Sequence, residues 1–264
     1  MAENGRIREA REGYLTGDKA KIRSSHLPHR IREDLKHPER HGGAGFNLPE
    51  IILGGQDGLV NVLGVILGVA AATAETNIVL VAGLAATFAE SISMGAVAYT
   101  STIAEADYYQ SEVERERYEI RQFPEGEKSE VRELYRSYGF AGKILEEIVE
   151  KITANRDIWL RVMMEQELKL QKVVRKDALP AALIVGFSSL AGSVIPLTPF
   201  FFLPIGEGII LSVTLSALTL FVIGYYKAKM TLGRKLVKNG LEMLAIGMVS
   251  ALAGFLVGKL FNFN

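Results

Sequence analysis

Two neighbouring apolar stretches, residues 51–74 and 77–104, are each long enough to cross a bilayer as a helix, and each carries a carboxylic acid that hydrocarbon should reject. Asp57 lies in IILGGQDGLVNVLGVILGVAAAT. Glu90 lies in NIVLVAGLAATFAESISMGAVAYTSTIA, one helical turn before Met94. An ionised carboxylate deep in hydrocarbon costs at least about 2.5–3.5 kcal/mol even on the most lenient insertion scale, so it normally faces a partner or a wet pathway. A chain built this way reads as a membrane protein that handles a cation.

The average composition conceals this. Mean hydropathy is only +0.18, because long polar segments dilute the apolar ones. A hydrocarbon core about 30 Å thick needs roughly 20 helical residues, and five segments meet that length: 51–74, 77–104, 178–200, 203–226 and 240–261. The second exceeds it, so its far end is expected to continue into water as the same helix. The expected fold is an all-α membrane protein of five transmembrane helices, with a three-helix cytoplasmic metal-binding insert between spans 2 and 3.

Loop charge sets the expected orientation. Residues 1–49 hold ten Lys or Arg, and 227–239 hold five with no acid, whereas the turns at 71–78 and 196–208 hold no basic residue. Basic loops stay cytoplasmic, which puts the N-terminus, 105–177 and 227–239 inside and the C-terminus outside. The charged first 45 residues do not read as a secretory signal. Four parts follow: a basic cytoplasmic leader (1–49), spans 1 and 2 (50–104), a cytoplasmic helical metal-binding domain (105–177), and spans 3 to 5 (178–264).

Within 105–176, 16 acids face 14 bases, so placement rather than acid content carries information. Glu116 and Glu119 are three apart, as are Glu127 and Glu130, and that spacing puts each pair on one helical face. The Pro124–Glu125–Gly126 turn lies between the pairs, so four oxygen donors can meet across it. Met163, Met164 and Glu167 add thioethers and a carboxylate one turn apart. Carboxylates alone suit Mg2+, Ca2+ or Mn2+, and an added thioether favours a softer transition metal. The same spacing, interleaved with Arg115, Arg117 and Arg121, would also build a solvated face, and methionine in an amphipathic helix commonly serves packing.

Other signals narrow the function class. The chain has no cysteine, and its four histidines, His26, His29, His37 and His41, all lie in the leader. The helical domain therefore lacks the Glu-x-x-His pairs of a di-iron carboxylate centre, and nothing resembles a nucleophile constellation. An enzyme is not expected, nor is a prosthetic group or a nucleic-acid partner. Gly64 with Gly68 and Gly254 with Gly258 are small-xxx-small pairs that permit close helix contact, either within the chain or between copies.

The motifs DGLVNVLGVILGV (57–69), SMGA (93–96), GSVIPLTPF (192–200) and the run from LFVIGYYKAKM to LAGFLVGKL (220–260) resemble the vacuolar iron transporter family from about residue 50 to 262. That resemblance implies a five-span homodimer exchanging Fe2+ for protons, with Mn2+, Zn2+ or Co2+ as further cargo. It implies a pathway lined by Asp57 and Met94, and metal ligands at Glu116, Glu119, Glu127, Glu130, Met163, Met164 and Glu167. Many relatives carry an acid shortly after SMGA, where this chain has Ala98, so Glu90 is the candidate to take over protonation. The membrane expected is a prokaryotic cell membrane, or a vacuolar membrane if the chain is eukaryotic. Competing readings are a Mn2+ or broad divalent exporter and a metal-sensing scaffold without flux.

Overall fold

The computed structural model describes residues 5–30, 48–231 and 235–261. It is helical throughout these residues, with no strand among them. His37 and His41 lie outside the described residues, as do most of the residues linking the leader to the first span. The described residues divide into two compact units, one formed by 1–98 with 179–264 and the other by 99–178.

In the first unit a short helical hairpin, α1 (Gly5–Thr16) and α2 (Lys19–Ser25), precedes the spans. Asp18 caps α2 by accepting from the backbone N–H groups of Ala20 and Lys21, and Arg30 pairs with Glu9 at 2.6 Å. His26 and His29 are exposed, and the His26 Nδ1 lies 2.7 Å from the Ile22 carbonyl. Five helices are long and apolar enough to cross a membrane. They are α3 (Leu48–Thr73), α4 (Thr76–Gln122), α8 (Ala178–Leu197), α9 (Ile205–Thr231) and α10 (Leu236–Leu260). A 3-10 turn, Arg175–Asp177, leads into α8, and another, Thr198–Phe201, follows it.

Helix α3 is the buried axis of this unit. Leu59, Val62, Leu63 and Ile66 have no exposed surface, and Val62, Leu63 and Ile66 pack with Val79, Leu197, Phe200 and Ala251. Lipid offers no hydrophobic force to press helices together, so close backbone approach has to supply the contact. Glycine provides it on two sides of α3. A Cβ at Gly254 would sit 2.2 Å from the Gly64 carbonyl oxygen, and one at Gly258 would sit 2.0 Å from that of Gly68. On the side facing α8, a Cβ at Gly192 would sit 2.0 Å from the Gly55 oxygen. The two small-residue pairs thus meet each other within one chain.

In the second unit the end of α4 is followed by α5 (Pro124–Ser137), α6 (Gly142–Thr153) and α7 (Arg156–Val162). Pro124 starts α5 at the position where its missing N–H costs nothing, and Gly139 ends the turn after it at φ +93°. The stretch 141–175 is broken at Asn155, whose side chain accepts from the N–H groups of Asp157 and Ile158 and so starts α7. Ile120, Val131, Leu145, Val149, Trp159 and Met163 form the apolar core here. Arg175 grips Asp107 through two hydrogen bonds of 2.6 and 2.7 Å, tying residues 68 positions apart.

The glycine seam predicts a specific sensitivity. Gly254→Leu forces backbone apart and should destabilise the protein by about 1–3 kcal/mol, lowering its melting midpoint in detergent. Gly206→Leu, placed where an added Cβ meets nothing within 4 Å, should leave the midpoint unchanged.

Candidate functional site

The acids in the spans meet each other. Asp57 on α3 accepts a hydrogen bond from Asn61, one turn later, at 3.3 Å. Glu90 on α4 lies close enough to Asp57 and Asn61 for its side chain to interact with both. Two carboxyl groups at that range repel when both are ionised and attract when one carries a proton. Met94 is half-buried one turn beyond Glu90 on the same helix, and Ser91 is buried with its hydroxyl on the Thr87 carbonyl. Asn61 is exposed and lines an open groove of about 610 Å3 between α3 and α10, alongside Gly64, Gly68, Gly254 and Gly258.

The 99–178 unit gathers a second set. Each of Glu116, Glu119 and Glu127 places an oxygen within 4.8 Å of the others. Glu116 and Glu119 come from α4, and Glu127 comes from the first turn of α5, so the Pro124 turn brings the pairs together. Glu116 is 1% exposed and Glu127 is 4% exposed, and each has one buried carboxylate oxygen with no hydrogen-bond partner. An unpartnered buried charged oxygen is expensive, so both favour a cation or a proton. Glu130 and Glu167, both exposed, lie close enough for their side chains to interact.

Residues 105–122 of α4 extend past what one bilayer crossing requires, so Glu116 and Glu119 lie beyond its apolar part. Burial pushes the Glu127 carboxyl up to about 7, helped by the negative charges of Glu130, Glu116, Glu119 and Glu167. Partial desolvation likewise pushes the exposed Glu167 carboxyl up to about 7, with Glu130 and Glu116 adding to it and Arg115 opposing. Glu116 is raised by burial against the pull of Arg115. Two acids here, Glu127 and Glu167, thus exchange a proton near neutrality.

Arg115 is the group that sequence spacing left on a solvated face. Its guanidinium donates to Glu112 at 3.0 Å and Glu119 at 2.5 Å, and pairs with Glu116 at 2.7 Å. It is the cation already present in the cluster. An arginine immediately before Glu116, with glutamates at positions 112 and 119, was the available signal.

The thioethers divide in role. Met163 is fully buried within the apolar core beside Val131 and Trp159, so it packs whatever else it does. Met164 is 2% exposed and lies outside that core group. Both belong to a π-helical turn, Met163–Glu167, closed by the Leu168 N–H bonding the Met163 carbonyl at 3.0 Å. Such widened turns occur often at functional sites. Periodicity alone carries no signal for one.

A family model described as the VIT family matches residues 48–259. A protein named vacuolar iron transporter 1 from Arabidopsis thaliana is 35% identical over 224 residues, covering 84% of this chain and 89% of that one. One of the same name from Oryza sativa subsp. japonica is 34% identical over 248 residues, covering 93% and 94%. A vacuolar iron transporter from Plasmodium falciparum is 30% identical over 267 residues, covering 97% and 96%.

The raised carboxyls give a pH prediction. A folded-state value raised from 4.5 to about 7 means the folded chain binds the Glu127 proton more tightly than the unfolded chain. Stability is then fully present below the ordinary value and is lost as pH rises through 7. With chelator present, the unit containing Glu127 should melt higher at about pH 5.5 than at about pH 8. Glu127→Gln should remove its own share of that difference, leaving the part due to Glu167, and stabilise the protein at the higher pH. Asp107 and Glu146, held below the usual carboxylate range by Arg175 and Arg132, act at lower pH and leave this window untouched.

Proposed function

Because the chain belongs to the VIT family, we propose that it moves Fe2+ out of the cytoplasm in exchange for protons, with Mn2+, Zn2+ and Co2+ as further cargo. It is an integral membrane metal transporter and not an enzyme. The observation that carries the finer reading is the contact of Asp57 with Glu90 between α3 and α4 inside the spans. A metal scaffold without flux has no use for two acids there, and intramembrane ionisable groups mark ion and proton routes.

The proposed order begins at the Glu116, Glu119, Glu127, Glu130 and Glu167 set, on the cytoplasmic side by the distribution of loop charge. The orphaned oxygens of Glu116 and Glu127 favour capture of a divalent cation, and the buried Met164 thioether biases the choice toward a transition metal. The ion then passes to Asp57 and Met94. A dication beside Asp57 holds that carboxylate ionised, and its departure favours proton uptake by the Asp57 and Glu90 pair. Outward metal is thereby coupled to inward protons.

A homodimer fits this scheme. Exposed Asn61 and the open groove beside it put polar groups where a lone chain would meet lipid, and a second copy would cover them.

Purified protein in liposomes tests the pathway. Asp57→Ala should abolish Fe2+ or Mn2+ movement driven by a pH gradient, and full activity in that variant would remove the assignment. For the capture site, Glu116→Ala with Glu119→Ala should weaken Mn2+ binding by calorimetry at least tenfold, roughly 1.4 kcal/mol. Unchanged affinity would return these residues to a solvated face.

A further inference from the structure

The 99–178 unit also holds a hollow with the opposite electrostatic character. It has a volume of about 150 Å3 and is lined by Arg117, Arg121 and Arg156, with Ile120, Leu160 and Asp157 completing it. Arg117 and Arg121 are one turn apart on α4, and Arg156 opens α7. Three guanidinium groups thus face one carboxylate.

Pairing elsewhere in the unit makes this arrangement stand out. Arg115, Arg132, Arg136 and Arg175 each hold an acid: the glutamate cluster, Glu146, Glu133 and Asp107 respectively. Among the described residues, Arg117, Arg121 and Arg156 form no salt bridge, although acids outnumber bases in this part of the chain. Like charges at one-turn spacing repel, and although all three arginines are exposed to solvent, an anion between them would relieve that repulsion. Ile120 is buried in the apolar core and Leu160 packs against it, so one wall of the hollow is apolar.

From this juxtaposition we propose that the hollow is a binding site for a small multivalent oxyanion, of the phosphate or polycarboxylate class. Guanidinium forks match the oxygen spacing of both groups and bind them through paired hydrogen bonds. The volume is below the range of pockets that take drug-sized ligands, which fits a compact anion rather than a nucleotide. The site is separate from the carboxylate cluster and does not depend on the transport reading.

The test uses the full chain, metal-free, in a non-ionic detergent so that no lipid phosphate competes. Inorganic phosphate and citrate are titrated separately by calorimetry at constant ionic strength, with chloride as the control anion. At least one should bind saturably below about 10 mM, and which one does so distinguishes the two sources. Arg117→Gln with Arg121→Gln, and separately Arg156→Gln, should each weaken that binding about tenfold or more with the melting midpoint retained. Asp157→Asn should strengthen it. Arg161→Gln removes another unpaired exposed arginine, outside the hollow, and should change nothing. No saturable binding of either anion, or an equal loss in Arg161→Gln, would overturn the proposal. Mn2+ binding to the glutamate cluster, read in the same samples, separates this result from the fate of the transport reading.

Discussion

Backbone-to-backbone contact along α3 is the constraint on which the membrane unit rests. In lipid an apolar side chain gains little by leaving its surroundings for another helix, so the attraction comes from packing and from hydrogen bonds. Helix α3 obtains packing by lying against α10 through Gly64 and Gly68 and against α8 through Gly55. With Leu59, Val62, Leu63 and Ile66 fully enclosed, the helix has little freedom to rotate. Its rotation in turn decides that Asp57 turns toward Glu90 of α4 while Asn61 also borders the open groove beside the glycine seam.

The second unit solves a different problem. Its carboxylates are drawn together by a tight turn at Pro124, and the apolar core behind them excludes the water that would solvate them. Glu116 and Glu127 consequently keep oxygens with no partner. The cost of that arrangement is offset by protons near pH 7, by Arg115, or by a metal. The break at Asn155 and a π-helical turn then bring Glu167 near Glu130 within the same unit.

Much of this was legible beforehand, for identifiable reasons. Length and apolar content are enough to find spans, and the structure has five helices of that kind, with α4 running on to Gln122. The proline turn, the glycine after Tyr138 and the break at Asn155 are local signals with local causes. Spacing of three placed Glu116 with Glu119, and the turn brought Glu127 to them. What sequence did not carry was tertiary. Whether Gly64 and Gly254 met within one chain or between copies depended on the packing of α3 with α10. Sequence leaves Met163 either a thioether donor or a packing residue, and its place among Val131, Leu145 and Trp159 appears only in the fold. The facing of Arg117 and Arg121 toward Arg156 required knowing where α7 lies against α4.

Arg115 has one further consequence. The glutamate cluster is never empty of positive charge, since a guanidinium is permanently ionised and already spans Glu112, Glu116 and Glu119. Under the proposed capture step a dication would compete with that guanidinium for the same oxygens. Its apparent affinity would then be the difference between two electrostatic attachments, set against an occupant whose size and charge never vary and which is written into the chain one residue before Glu116.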